Sequence, residues 1–166
     1  KQPSLEQYPS IFNVNLYKSL FELLLNDLKV NLLAKIGLID YGMGNLFSVQ
    51  QAFKRVNQPL EIINDPKALS FCDALILPGV GAFDPAITNL KRADFEPLII
   101  DWVNNGKPLL GICLGLQLLF EGSEEGRLKG LGVIKGKIRK LPNENNERIP
   151  HIGWAPIKKT NECPIL

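Results

Sequence analysis

The stretch Gly111-Ile112-Cys113-Leu114-Gly115 carries the clearest chemical content in the chain. It joins an apolar run, Leu109–Ile112, to a segment over about 115–121 that suits a helix. A side chain at the tip of a strand-to-helix turn is lifted above the sheet, and small residues on both sides let the backbone take the strained turn this requires. A Cys in that place stands at a helix N-terminus, where partial positive charge favours a thiolate and unbonded N–H groups can hold an oxyanion. The chemistry on offer is attack on a carbonyl carbon, with Cys113 as nucleophile. A small thiol packed in the core is the alternative the motif leaves open.

A second stretch, Pro78-Gly79-Val80-Gly81-Ala82-Phe83, lies at the carboxyl end of another apolar run. Two Gly around one residue let its peptide N–H face a developing negative charge, and ligands of open parallel sheets collect beyond the carboxyl ends of the strands. A plain strand-to-helix turn explains the same residues. Asp40-Tyr41-Gly42-Met43-Gly44-Asn45 has only two of the three Gly of a dinucleotide fingerprint, with Phe47 where the third belongs, so it reads as a tight turn. Attack by a thiol on an amide needs a general base, usually His, oriented by a carboxylate or amide. The single His is His151, between Pro150 and Ile152 with no adjacent acid, which suits a packed or interface residue better than a base.

These motifs need a scaffold of alternating strands and helices, and the pattern from Lys35 onward supplies one. Strands are expected at Ile36–Ile39, Leu60–Ile63, Ala74–Leu77 and Leu109–Ile112. Helices are expected from an Asn45 N-cap to about Val56, over about Ala82–Leu90 and Phe95–Asn104, and from about Gly115 to Glu121. Beyond Gly130 the period-two stretches Val133–Leu141 and Ile149–Ile157 suggest antiparallel strands. Residues 1–34 contain no Gly and repeat Leu at helical spacing from Leu16 to Leu33, which predicts a separate helical extension. The expected fold is therefore α/β, a doubly wound, mostly parallel sheet with an antiparallel extension and an added N-terminal helix.

Composition narrows the function classes. A chain of 166 residues can bury roughly 70% of its unfolded surface, enough for one cored domain. The 19 Lys+Arg against 17 Asp+Glu give a net charge of +2, which marks neither a disordered tail nor a dedicated nucleic-acid or membrane binder. Charge is segregated, at −4 over residues 1–126 and +7 over 127–159, and Lys135, Lys137 and Arg139 alternate as the wet face of one strand would. Three Cys without C-x-x-C spacing and one His argue against structural zinc or a disulfide framework, and for a reducing compartment, the cytoplasm. The nearly apolar run Leu109–Phe120 is far shorter than the ~20 residues a membrane span needs. No metal or cofactor is expected.

Taken in order, the motifs resemble one family, the glutamine amidotransferase subunits of imidazole glycerol phosphate synthase. The resemblance is carried by Ile36–Leu46, Leu77–Phe83, Gly106-Lys107-Pro108, Gly111–Gln117 and Pro150-His151-Ile152-Gly153-Trp154, and covers about Lys35 to Ile157. It implies that Cys113 forms a glutamyl thioester and releases ammonia, with the N–H groups of Val80 and Leu114 as oxyanion hole. Gly79, Gly81, Gln117 and Glu125 would bind the glutamine. The implied partner is a cyclase with a (β/α)8 barrel that receives the ammonia, and His151 and Trp154 match positions near that interface. Ala155 departs from the Asn usual after this Trp. The family's base belongs to a His-x-Glu motif beyond the Gly-Trp stretch, and these 166 residues contain none. A chain beginning at Lys1 and lacking that motif is expected to be a fragment: an amidotransferase domain over 35–166, incomplete at its C-terminus and inactive alone. A non-catalytic binding or regulatory subunit is the competing reading, and a cysteine hydrolase with the same elbow a more distant one.

Overall fold

The computed structural model describes residues 34–141 and Pro156. Four short strands form one parallel sheet: β1 (Ile36–Ile39), β2 (Leu60–Ile63), β3 (Ala74–Leu77) and β4 (Leu109–Gly111), in the order β2-β1-β3-β4. The helices are α1 (Leu46–Arg55), α2 (Phe83–Arg92), α3 (Phe95–Asn104) and α4 (Leu114–Leu118), with a 3₁₀ turn at Pro66–Phe71.

Strands β1 and β3 are apolar at nearly every position because both faces of the sheet are covered. Ile36, Leu38 and Ile76 point to one side, where they pack with Phe53 of α1. Ile39, Leu75 and Leu77 point to the other, against Ile87 and Leu90 of α2, Ile99 and Trp102 of α3, and Leu118 of α4. Each such side chain taken fully out of water contributes about 1.5–3 kcal/mol. The two-sided burial is what makes the sheet doubly wound, as the sequence predicts. Because α1 and α2 lie on opposite faces, the winding reverses between β1 and β3, and ligands of such sheets collect beyond the carboxyl ends of the strands at that point.

Local signals act as expected in several places. The Asn45 side chain accepts from Ser48 N–H at 3.1 Å and starts α1, and α3 spans the predicted residues. Two expectations are corrected. The helix read over Gly115–Glu121 stops at Leu118, and the chain re-extends at once as β5 (Phe120–Ser123). The following strand, β6 (Ile134–Ile138), pairs with β5 in parallel and not antiparallel; among the described residues the antiparallel contact is a single bridge, Gly122↔Lys129. Alternating residues mark an exposed strand but say nothing of its polarity. The ten residues 124–133 return the chain to the same end, as a parallel pair demands. The helix predicted within residues 1–34, up to residue 33, and the strand predicted over Ile149–Ile157, Pro156 apart, lie outside the described residues. Ala34 itself is buried in the core on the α1 side. No helix among the described residues is long and apolar enough to cross a membrane.

Candidate active site

Cys113 is the residue between β4 and α4, and it is exposed. Its backbone sits at φ 54° and ψ −118°, a conformation that costs a non-Gly residue roughly 1–3 kcal/mol and persists only where the surroundings impose it. Two sets of contacts impose it here. On the strand side Ile112 N–H donates to Leu77 C=O at 3.0 Å, and on the helix side Leu116 and Gln117 N–H both donate to Cys113 C=O, at 3.0 and 3.2 Å. Gly115 makes the turn sterically possible, since a Cβ at this position would overlap the Leu77 carbonyl. The elbow read from sequence is thus present, and the alternative of a buried core thiol belongs to Cys72 instead.

The Pro78–Ala82 loop meets the elbow directly. A Cβ on Gly79 would stand 2.6 Å from Gly115 N and 2.8 Å from Leu114 Cβ, so only a Gly lets the two backbones lie this close. Val80 is then carried outward, 52% exposed, followed by Gly81 at φ 102°. Among the described residues no hydrogen bond takes up the N–H of Val80 or of Leu114, and Leu114 at the first position of a helix has no intrahelical acceptor. Two N–H groups without a hydrogen-bond partner among the described residues thus lie on the two segments that pack together at the elbow. Gln117, half-buried, lies one helical turn beyond Cys113 and on its face of α4.

Glu125 lies in the turn after β5, where its side chain is exposed. Two neighbouring carboxylates are consumed by structure: Glu121 accepts from Gly136 N–H at 3.0 Å, and Glu124 from Lys140 N–H at 2.9 Å. Glu125 has its own N–H bonded to Ser123 Oγ at 3.1 Å, while its exposed carboxylate makes no hydrogen bond or ion pair among the described residues. His151 and Trp154 lie outside the described residues. Among the described residues no group of three or more His, Cys, Asp or Glu is placed to hold a metal ion.

Two residues left unassigned by the sequence reading touch this backbone. Tyr41, in the turn after β1, donates its buried hydroxyl to Pro78 C=O at 2.8 Å, and burial pushes its phenol well above the ordinary range. Asp84, in the first turn of α2, accepts from Arg127 N–H with both oxygens, at 3.0 and 2.9 Å, and from Leu128 N–H at 3.0 Å. Those backbone donors hold its carboxyl below the usual carboxylate range. Neither role is visible in sequence, because each partner is more than 35 positions away.

Comparison with known proteins identifies the family and the fold. The family model of class-I glutamine amidotransferases matches residues 38–162. Among curated relatives, the imidazole glycerol phosphate synthase subunit HisH of Prochlorococcus marinus strain NATL2A is 77% identical over 134 residues, covering 81% of this chain and 64% of that protein. The HisH subunits of strains MIT 9211 and SARG are 61% and 60% identical, covering 79% and 81% of this chain and 62% and 63% of theirs. The chain thus spans a little under two thirds of the length of these relatives. A crystal structure of a glutamine amidotransferase superposes with a TM-score of 0.56 over 69% of this chain and 59% of that one, at 21% identity, and so supports the fold alone. With three quarters of its residues matched by the family model and the elbow in place, the chain belongs to the class-I glutamine amidotransferase family.

Proposed function

We propose that this chain carries the nucleophilic half of a glutaminase, the amidotransferase subunit of an imidazole glycerol phosphate synthase acting in histidine biosynthesis. The observation that carries the reading is the strained, exposed Cys113 with the Gly79–Val80 backbone packed beside Leu114 and Gly115. In this reading the Cys113 thiolate attacks the side-chain carboxamide carbon of glutamine. The C–N bond breaks, a proton passes to the leaving nitrogen, and ammonia departs from a glutamyl thioester that water then hydrolyses to glutamate. The N–H groups of Val80 and Leu114 donate to the oxyanion of each tetrahedral intermediate, a contribution of about 3 kcal/mol per donor. Gly79 and Gly81 leave room for the substrate, and Gln117 and Glu125 hold its polar end.

Ammonia is useful only if it reaches its acceptor before protonation in water. As the resemblance implies, the partner is a cyclase with a (β/α)8 barrel, docked where His151, Trp154 and the exposed basic strand around Lys135, Lys137 and Arg139 can meet it. The enzyme works in the cytoplasm, without a metal or cofactor. In the two-subunit enzyme, Cys113→Ala is expected to abolish glutamine-dependent synthesis while synthesis from added ammonium continues. Full glutamine-dependent turnover by that variant would overturn the reading. Glutamine binding without turnover in the unmutated enzyme would assign the chain to the binding-subunit class.

A further inference from the structure

The segment 79–84 touches both the elbow and the loop that follows Glu125. At Gly79 it lies against Leu114 and Gly115, beside the nucleophile. Five residues later, Asp84 reaches across the fold to the loop that follows Glu125 and binds two successive amides of it. Gly126 is pressed onto the same place, since a Cβ there would overlap Asp84 Oδ1 and come within 3.1 Å of Phe83 Cδ1. A carboxylate at the start of a helix is ordinarily explained by the helix dipole, which needs no partner. Here three bonds run to amides 43 and 44 positions away, and the loop they fix is the one that presents the uncommitted carboxylate of Glu125.

We propose that Asp84 is a positioning residue for glutamine: its carboxylate clamps the Arg127 and Leu128 amides, and so holds Glu125 at a fixed place relative to Cys113 and the Val80 loop. The inference rests on the reading of Glu125 as a glutamine ligand. Because Asp84 follows the Val80 loop within the same short segment, one rigid piece of chain sets both the oxyanion donor and the substrate-holding carboxylate. Asp84 itself touches no reacting atom.

The test uses the full-length protein, with any sequence that flanks these residues. Three quantities are measured: the half-saturation for inactivation of Cys113 by a glutamine-like diazoketone, the rate of Cys113 alkylation by iodoacetamide, and amide hydrogen exchange at Arg127 and Leu128. Asp84→Asn removes the charge at nearly constant shape. It is expected to raise the half-saturation roughly tenfold, the scale of one lost charge-assisted hydrogen bond, and to speed exchange at both amides. The iodoacetamide rate stays unchanged, which a general loss of structure would not allow. Gly126→Ala, which pushes the same contact apart from the other side, is expected to reproduce the pattern, and it decides the matter should Asp84→Asn fail to fold. If Glu125→Ala raises the half-saturation while Asp84→Asn and Gly126→Ala do not, the glutamine site stands and the positioning role is overturned. If Glu125→Ala changes nothing, the reading of Glu125 fails, and the role given to Asp84 falls with it.

Discussion

Cys113 and Cys72 show how differently one residue type can be used. Cys113 is exposed on a strained turn, whereas Cys72 is buried beneath the sheet, its thiol pushed up by burial, with Glu61 and Asp73 adding to the shift and Lys35 opposing it. Iodoacetamide at neutral pH is expected to label Cys113 first and Cys72 only when the protein unfolds, as peptide mapping would show; labelling in the reverse order would count against the elbow. A second expectation follows from linkage. The folded-state pKa of Cys72 lies above its unfolded value, so the thiol's contribution to stability is present at neutral pH and is lost as pH rises through the thiol range. Urea midpoints measured from neutral to alkaline pH should therefore fall, and less steeply in Cys72→Ala. Cys113 was legible in sequence because its signature is local: an apolar run, a Cys and a Gly on either side. Tyr41 and Asp84 were not, because their types are ordinary and their partners lie far along the chain.

Elements were legible where one period dominated. The amphipathic α2 and α3 and the short apolar strands β1 to β3 fall where periodicity puts them. The two failures have separate causes: residues Leu114–Phe120 are mostly apolar and suit helix and strand equally, so pairing with β6 decides where the helix stops, while the alternation of β6 carries no information on its polarity. At the elbow the packing leaves no such freedom. Gly115→Ala would drive a methyl into the Leu77 carbonyl, at the end of the central strand β3. Backbone would have to move on both sides, so a loss of about 3 kcal/mol in urea unfolding is expected. Displacement of Leu114 N–H should reduce Cys113 reactivity toward a glutamine analogue in the same variant. A Gly115→Ala protein as stable as the unmutated one would mean that β3 and α4 are less closely packed than described.

For the whole molecule, the parallel sheet and the family were legible, but the source of the proton-transferring group was not. These 166 residues contain one His, set without an acidic neighbour. The 166 residues by themselves are expected to release ammonia from glutamine at a rate several orders of magnitude below a complete enzyme, since members of a catalytic unit fail together. An ammonia assay showing a normal rate, lost in Cys113→Ala, would make His151 the base. The sheet has one more consequence. Every ladder in it is parallel and joins distant segments, such as Ile36 with Ala74 and Leu75 with Leu109, and among the described residues no hairpin between strands offers a quick local start. Chains of this kind must close long loops before any strand is rewarded, so they fold slowly. The turn after β1, the Val80 loop and the elbow come together only when β1, β3 and β4 are side by side. Until those strands pair, during synthesis or refolding, Cys113 is therefore a thiol on an open chain, with neither the strained turn nor the Val80 loop beside it.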